Sequence, residues 1–281
     1  MEKNKHKLQL PKITYCLAVL MMCLSCSVKE DRAECPCSVS VVTQALGDCV
    51  VSFYASDRSL IERKVISAAD LLSGENHTYV PKGDIYVSVL DGMEHMSLVN
   101  GYSIVCRSGI DADRVYGFSR RDAATGDTLL VTGVLQKQHS VITLILRNAP
   151  GEEYPYDIRV VTPCNALDLV SFAGDGDAMA YEPAVVHAGV SAKSQESRDD
   201  WSATFVVTRQ DDDKPLLLHF LDRVSGAVSS TLDLGHFIAL TGYSWSAEYL
   251  GDITVVLDRV KMTLTVEVAD WNRVITAKYE I

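Results

Sequence analysis

Over much of this chain apolar residues recur at every second position, the period of a strand with one face in a core. Val39 and Val41 alternate with serines, and Met262, Leu264, Val266 and Val268 alternate with threonine and glutamate. Cys49–Tyr54 is rich in β-branched and aromatic residues. Asp84–Leu90 lies between Pro81-Lys82-Gly83 and Asp91-Gly92, with turn chemistry on both sides. His139 to Leu146 closes the first half, and short runs near Val65, Tyr102 to Cys106, Tyr116, and Leu129 to Val131 fall between. Asn148-Ala149-Pro150-Gly151-Glu152-Glu153-Tyr154-Pro155 is the clearest break. Strands resume at Tyr156 to Val161, Tyr181 to His187, Trp201 to Thr208, Leu216 to Leu221, Ala227 to Leu234 and Ile253 to Leu257. Leu234 to Tyr243 fits a helical turn as well as a strand. The pattern predicts an all-β protein of two tandem antiparallel β-sandwich domains, 37–150 and 151–281.

The first residues follow another rule. A basic stretch through Lys12 leads into a mostly apolar run of 13 residues, Ile13 to Ser25. A membrane-spanning helix needs about 20, so residues 1–25 read as an export signal. Leu24-Ser25-Cys26 is similar to a bacterial lipobox, which makes Cys26 the expected lipid-attachment residue and 26–36 a lipidated linker. The alternative is an ordinary cleaved signal with an incidental cysteine. Each buried methylene of an acyl chain contributes about 0.8 kcal/mol, so two or more chains hold a soluble domain at a bilayer. Ser27-Val28-Lys29-Glu30-Asp31, directly behind the cysteine, is similar to the export tag of Bacteroidetes surface lipoproteins and implies display on the outer face of the outer membrane.

Charge narrows the partners. The chain carries 26 Lys and Arg against 37 Asp and Glu, a net −11, and without residues 1–25 the balance becomes 22 against 36, or −14. Such a surface repels phosphate backbones, so nucleic acid is excluded as a partner class. Five cysteines remain after the signal and Cys26: Cys35, Cys37, Cys49, Cys106 and Cys164. An odd number cannot all pair internally. They read as small buried hydrophobes with at most one bridge, whose pairing the sequence leaves open. Cys35-Pro36-Cys37 lacks the spacing of zinc and thioredoxin-type sites.

No catalytic constellation emerges. Gly101-Tyr102-Ser103-Ile104-Val105 and Gly242-Tyr243-Ser244-Trp245-Ser246 both lack the second glycine of a nucleophile elbow. His77, His95, His139, His187, His219 and His236 stand singly. Asp175-Gly176-Asp177 reads as a turn rather than a calcium loop, and Asp211-Asp212-Asp213 as an exposed hairpin loop. Trp201, Trp245 and Trp271 are candidates for a sugar-stacking platform or for core packing. The expectation is a non-enzyme with no catalytic, cofactor-binding or metal residues and no cofactor. The sequence leaves any small-molecule ligand open.

In order, the Cys26 lipobox with Val28 to Arg32, Cys35-Pro36-Cys37, Tyr79 to Val87, Leu232 to Ile238, Leu250 to Ile253 and Val266 to Asn272 resemble the FimB/Mfa-type fimbrial anchor subunits of Bacteroidetes. The resemblance runs from Cys26 to the C-terminus. It implies transthyretin-like sandwiches, lipid attachment at the outer membrane, and anchoring and length limitation of a fimbrial filament through strand addition with stalk subunits. In related filament subunits a protease removes the first strand. The expectation here is that the anchor keeps it, near Ser38 to Thr43, and meets the filament through its second domain, because tethering at Cys26 leaves the far domain free. The alternatives are a stalk or tip subunit and a glycan-binding adhesive lipoprotein.

Overall fold

The computed structural model describes residues 34–99, 101–149, 151–190, 199–270 and 273–280. The expected signal, Cys26, most of the linker and Trp271 lie outside them. The first half supplies β1 (Cys37–Val42), β2 (Cys49–Ala55), β3 (Leu60–Ile66), helix α1 (Ala68–Ser73), β4 (Thr78–Val80), β5 (Gly83–Asp91), β6 (Ser97–Val99), β7 (Ser103–Val105), β8 (Tyr116–Ala124), β9 (Thr128–Thr132) and β10 (Gln136–Lys137). The second supplies β11 (His139–Asn148), β12 (Tyr156–Thr162), β13 (Ala166–Asp168), β14 (Gly174–Asp175), β15 (Met179–Tyr181), β16 (Val186–Val190), β17 (Asp199–Thr208), β18 (Leu217–Asp222) and β19 (Val228–Asp233). It ends with helix α2 (Leu234–Ala239), β20 (Asp252–Asp258), β21 (Thr263–Asp270) and β22 (Arg273–Glu280).

Two sandwiches result. In the first, the sheet β4-β1-β9 faces β10-β8-β5-β2-β3. Between them lies a core that includes Val39, Val41, Val51, Phe53, Val87 and Val131. In the second, β16-β17-β11-β20-β21-β22 faces β15-β12-β18-β19. A third sheet, β14-β13-β7-β6, takes two strands from each half. It covers the far face of β2 and β5, where Tyr54 and Leu90 are buried with Ile104 and Leu167. That double cover explains why β2 buries successive residues, Val51 to Tyr54, rather than alternate ones.

The strand-rich prediction is realised, with three differences. β11 pairs with β17 and with β20, so it belongs to the second sandwich and the change of partners comes at Gln138, not at residue 150. Gly151 lies in a turn between β11 and β12 within one sandwich, where Glu152 N–H donates to Ala149 O at 3.3 Å. The two halves share the third sheet, and Pro36–Ile281 forms one compact unit. Met262 is not the first residue of a strand: it sits in the β20–β21 turn at φ +50°, 59% exposed. Finally, α1 and β22 appear where the pattern gave no element.

The core-facing residues of the six-stranded sheet form rows across the strands. One row runs Trp201, Leu146, Leu257, Leu264, Tyr279; the next runs Ala203, Leu144, Val255, Val266, Ala277; a third runs Phe205, Ile142, Ile253, Val268, Ile275. Such cross-strand contacts are the unit of sheet stabilisation, and each fully buried aliphatic side chain contributes about 1.5–3 kcal/mol.

Candidate functional site

The first strand is held from both sides. It pairs antiparallel with β4 from Cys37↔Val80 to Val39↔Thr78, and parallel with β9 from Ser38↔Thr128 to Val42↔Thr132. β4 has begun too late to reach Val41, and Asn76 completes the ladder there. Its Oδ1 accepts from Val41 N–H at 2.8 Å, and its Nδ2 donates to Val41 O at 2.8 Å and to Asp70 O at 2.9 Å. Beyond it, Thr43 N–H donates to Leu71 O and the Thr43 hydroxyl donates to Gly133 O. Cys37, Val39 and Val41 point into the first core with no exposed surface. Their departure would open an apolar groove between β4 and β9.

Where the halves meet, polar groups interlock. Gln138 N–H donates to Val115 O at 3.0 Å and its side-chain amide nitrogen, Nε2, donates to Gly117 O at 2.9 Å, both in the first half. Arg209, 5% exposed, donates to Gln138 Oε1, to the carbonyls of Trp245 and Ala247 at 2.7 and 2.6 Å, and to that of Glu248 at 3.1 Å. His139 is buried against Val115 O at 3.0 Å. Burial holds its ring neutral and lowers its pKa to about 4. These groups fix the two sandwiches to each other, and neither the arginine nor the glutamine carries a sequence motif.

The other residues that the sequence brought forward are dispersed. His77 bonds the Ser40 hydroxyl at 2.9 Å and His219 the Thr231 hydroxyl at 2.7 Å; His95 and His236 are exposed, and His187 stacks edge-on against Trp201. Among the described residues no group of three or more His, Cys, Asp or Glu could hold a metal ion. Asp175-Gly176-Asp177 is a turn: Asp175 accepts from the Ser103 hydroxyl and Asp177 N–H donates to Asn165 Oδ1. Asp212 is not a merely solvated loop charge. It accepts from Ser244 and Ser246 hydroxyls and from Trp245 N–H at 2.7–3.0 Å, tying the Asp211–Asp213 loop to the turn at 244–246. A cleft of about 350 Å³ opens beside it. Its charged lining is engaged in the fold, with Asp233 capping α2 and Lys214 paired with Asp211.

Cys37, Cys49, Cys106 and Cys164 are free and buried, and Cys35 is free and exposed. Burial pushes the Cys49 and Cys106 thiols up to about 12, helped by Asp91 near the first and Asp113 near the second, and raises Cys37 and Cys164 as well. Thiols so held stay protonated and unreactive at neutral pH. Trp201 lies near the start of β17 under the Arg223 guanidinium, 5.5 Å from its ring centre. Trp245 is buried beside Arg209, past the other end of that strand. At about 3.3 Å per residue a whole strand separates them, so they form no common platform.

No family model matches the sequence, and no curated relative does. The fold, however, is found in solved structures. The fimbrial anchor protein Mfa2 from Porphyromonas gingivalis superposes with a TM-score of 0.59 over 86% of this chain and 100% of its own, at 12% identity. A candidate adhesin from Bacteroides thetaiotaomicron gives 0.57 over 87% of this chain and 99% of its own, also at 12% identity. A candidate polysaccharide-binding protein from the same organism gives 0.56 over 88% and 98%, again at 12%. At such identities the likeness is one of fold, and function has to be argued from sites.

Proposed function

We propose that this protein is a non-catalytic lipoprotein of the outer membrane's outer face, pinned through Cys26, that anchors a fimbrial filament and limits its length. Its partners on this reading are filament subunits. The fold shared over the whole length of an anchor protein supports it. The observation that carries it against a stalk role is the first strand. Between Arg32 and Arg58 the sequence contains no lysine or arginine, so a protease specific for basic residues has no site between β1 and β2. Cleavage at Arg58 would detach β2 as well, which lies between β3 and β5 and carries Phe53 and Tyr54 into two cores. A subunit whose groove cannot be opened accepts no strand there, which suits the end of a filament. Deleting the gene and imaging the cell surface by electron microscopy tests this: shed or overlong filaments are expected, and unchanged filaments overturn it.

A further inference from the structure

An edge strand offers a row of unpaired N–H and C=O groups to any extended chain, and natural sheets blunt their edges against such pairing. Among the described residues this fold does so almost everywhere. β4, β6, β10, β14 and β15 are at most three residues long. The pairings of β3, β16 and β19 with their neighbours each contain a register shift. β3 also presents the charged run Glu62-Arg63-Lys64, and the Arg120 guanidinium occupies Thr132 O at the end of β9. β22 is different. Its eight residues pair one for one with β21, from Asp270↔Arg273 to Thr263↔Glu280, without a shift and without proline.

Side chains agree with the backbone. The three apolar rows of the six-stranded sheet run out to β22 and stop there. Leu264, Val266 and Val268 on β21 are buried, whereas Tyr279, Ala277 and Ile275, the next in each row, are half-buried. Phe237 on α2 packs against Tyr279, with ring centres 5.1 Å apart, and forms a shoulder under the rim. The core is therefore unfinished along one edge, at a long strand paired without a shift whose charges, Arg273, Lys278 and Glu280, lie toward its two ends.

We infer that β22 is an acceptor edge, which takes an extended segment of a filament subunit as the seventh strand of this sheet; the choice of partner rests on the function proposed above. The segment is apolar at alternate positions, with a large side chain opposite Ala277. A second copy of this chain suits the edge less well. Pairing two β22 strands with their apolar faces on one side, about a centre at Ala277, sets alanine against alanine and leaves the middle row unfilled. Asp270 and Arg273 pair across two residues, the spacing in which the innermost pair is hydrogen-bonded. Alternation then turns the N–H and C=O of Val274, Thr276 and Lys278 toward the open edge.

A photo-crosslinking residue placed at Thr276 of the full-length protein, on filament-bearing cells, tests this against the same probe at Val228 on the shifted edge β19. The expected adduct joins position 276 to an alternating apolar peptide of a filament subunit, identified by mass spectrometry, with none from 228. Thr276→Pro removes one outward N–H, and Val274→Lys adds a further charge in the uncharged stretch between Arg273 and Lys278. Each should lower filament retention at least tenfold while thermal unfolding of the protein stays within a few degrees. Wild-type retention in both variants overturns the inference, as does an adduct between two copies of this chain. No adduct at 276, on cells whose filaments depend on the gene, overturns the edge alone. An adduct with a surface protein that is not a filament subunit overturns the partner and, with it, the anchoring role.

Discussion

Asn76 stands opposite Val41 two residues before β4 begins, and its side-chain amide makes both of the hydrogen bonds that a backbone neighbour would make. The register requires this position, because Val39 faces Thr78 and each step along β1 moves one residue back along its antiparallel partner. A side chain thus extends a three-residue strand to protect the middle of the chain's first strand.

Replacing Asn76 by alanine leaves Val41 N–H and C=O unpaired in a buried setting. Unsatisfied buried backbone groups cost about 1–3 kcal/mol each, so the variant should lose about 2–4 kcal/mol of unfolding free energy in urea. Asn76→Asp should be nearly as damaging, since a carboxylate accepts from Val41 N–H but cannot donate to Val41 O. A loss below about 0.5 kcal/mol for both would show that the amide is dispensable. Amide exchange of Val41 should rise before that of the six-stranded sheet.

Arg209 allows a sharper test of the join between the sandwiches. Its guanidinium serves four acceptors on two segments, Gln138 and the run 245–248, and lysine cannot reproduce that planar fork. Arg209→Lys is expected to cost about 2 kcal/mol or more, and Arg209→Ala about 3–5 kcal/mol, the range seen when one partner of a buried charged network is removed. The segment at 244–248 should lose exchange protection first. Equal stability of Arg209→Lys and the parent would contradict the role given to the fork.

The alternation of buried and polar positions made the strands legible, because a period of two survives wherever one face meets a core: β1, β11 and β21 read correctly from Val39, Leu144 and Val266. Organisation was harder to read. The Pro150-Gly151 tract has the composition of an interdomain linker, yet a tight turn between the two sheets of one sandwich needs the same residues. Nothing in His139 to Asn148 says which half the strand will join, since its neighbours are β17 and β20, far along the chain. β22 was hidden because its β-branched run, Val274-Ile275-Thr276, is only three residues long and its inward positions, Ile275, Ala277 and Tyr279, include a small side chain. The buried polar positions, Asn76, Gln138 and Arg209, were invisible for a simpler reason: their partners are mostly backbone groups, which carry no sequence signature.

His139 should give the protein a measurable acid response. Burial holds the ring neutral in the folded state, with a pKa of about 4, against about 6.5 for an exposed histidine. Above pH 6.5 neither state binds a proton at this ring, and its neutral form contributes fully. As pH falls from 6.5 to about 4 the unfolded chain takes up a proton that the folded one refuses, so stability declines by up to about 3 kcal/mol. His139→Gln, which keeps a donor for Val115 O, should flatten that part of the stability curve relative to the parent, although carboxylates continue to act in both. Parallel urea-midpoint curves for the two proteins between pH 4 and 7 would show that the ring titrates normally.

The spacing of basic residues around β1 leads to a last expectation, about proteolysis. Arg58 is the first basic residue after β1, in the β2–β3 turn at φ +68°, with its guanidinium 3.3 Å from the nearly buried Asp168 carboxylate. That contact ties the turn to the third sheet and opposes the local unfolding that a protease needs. Brief trypsin treatment of the native protein should therefore trim no further than Arg32 and leave β1 attached, as terminal sequencing of the product would show. Asp168→Asn weakens the tie and also removes charge from an oxygen set that caps Val170 and Ser171 N–H, so cutting after Arg58 should accelerate several-fold. Because Val39, Val41, Phe53 and Tyr54 share the cores on both sides of that cut, the nicked protein should melt at a lower temperature and fail to release β1 as a separate peptide. A chain that instead loses residues up to 58 cleanly, and stays folded with an open groove, would behave as a filament subunit and not as the fixed end of a filament.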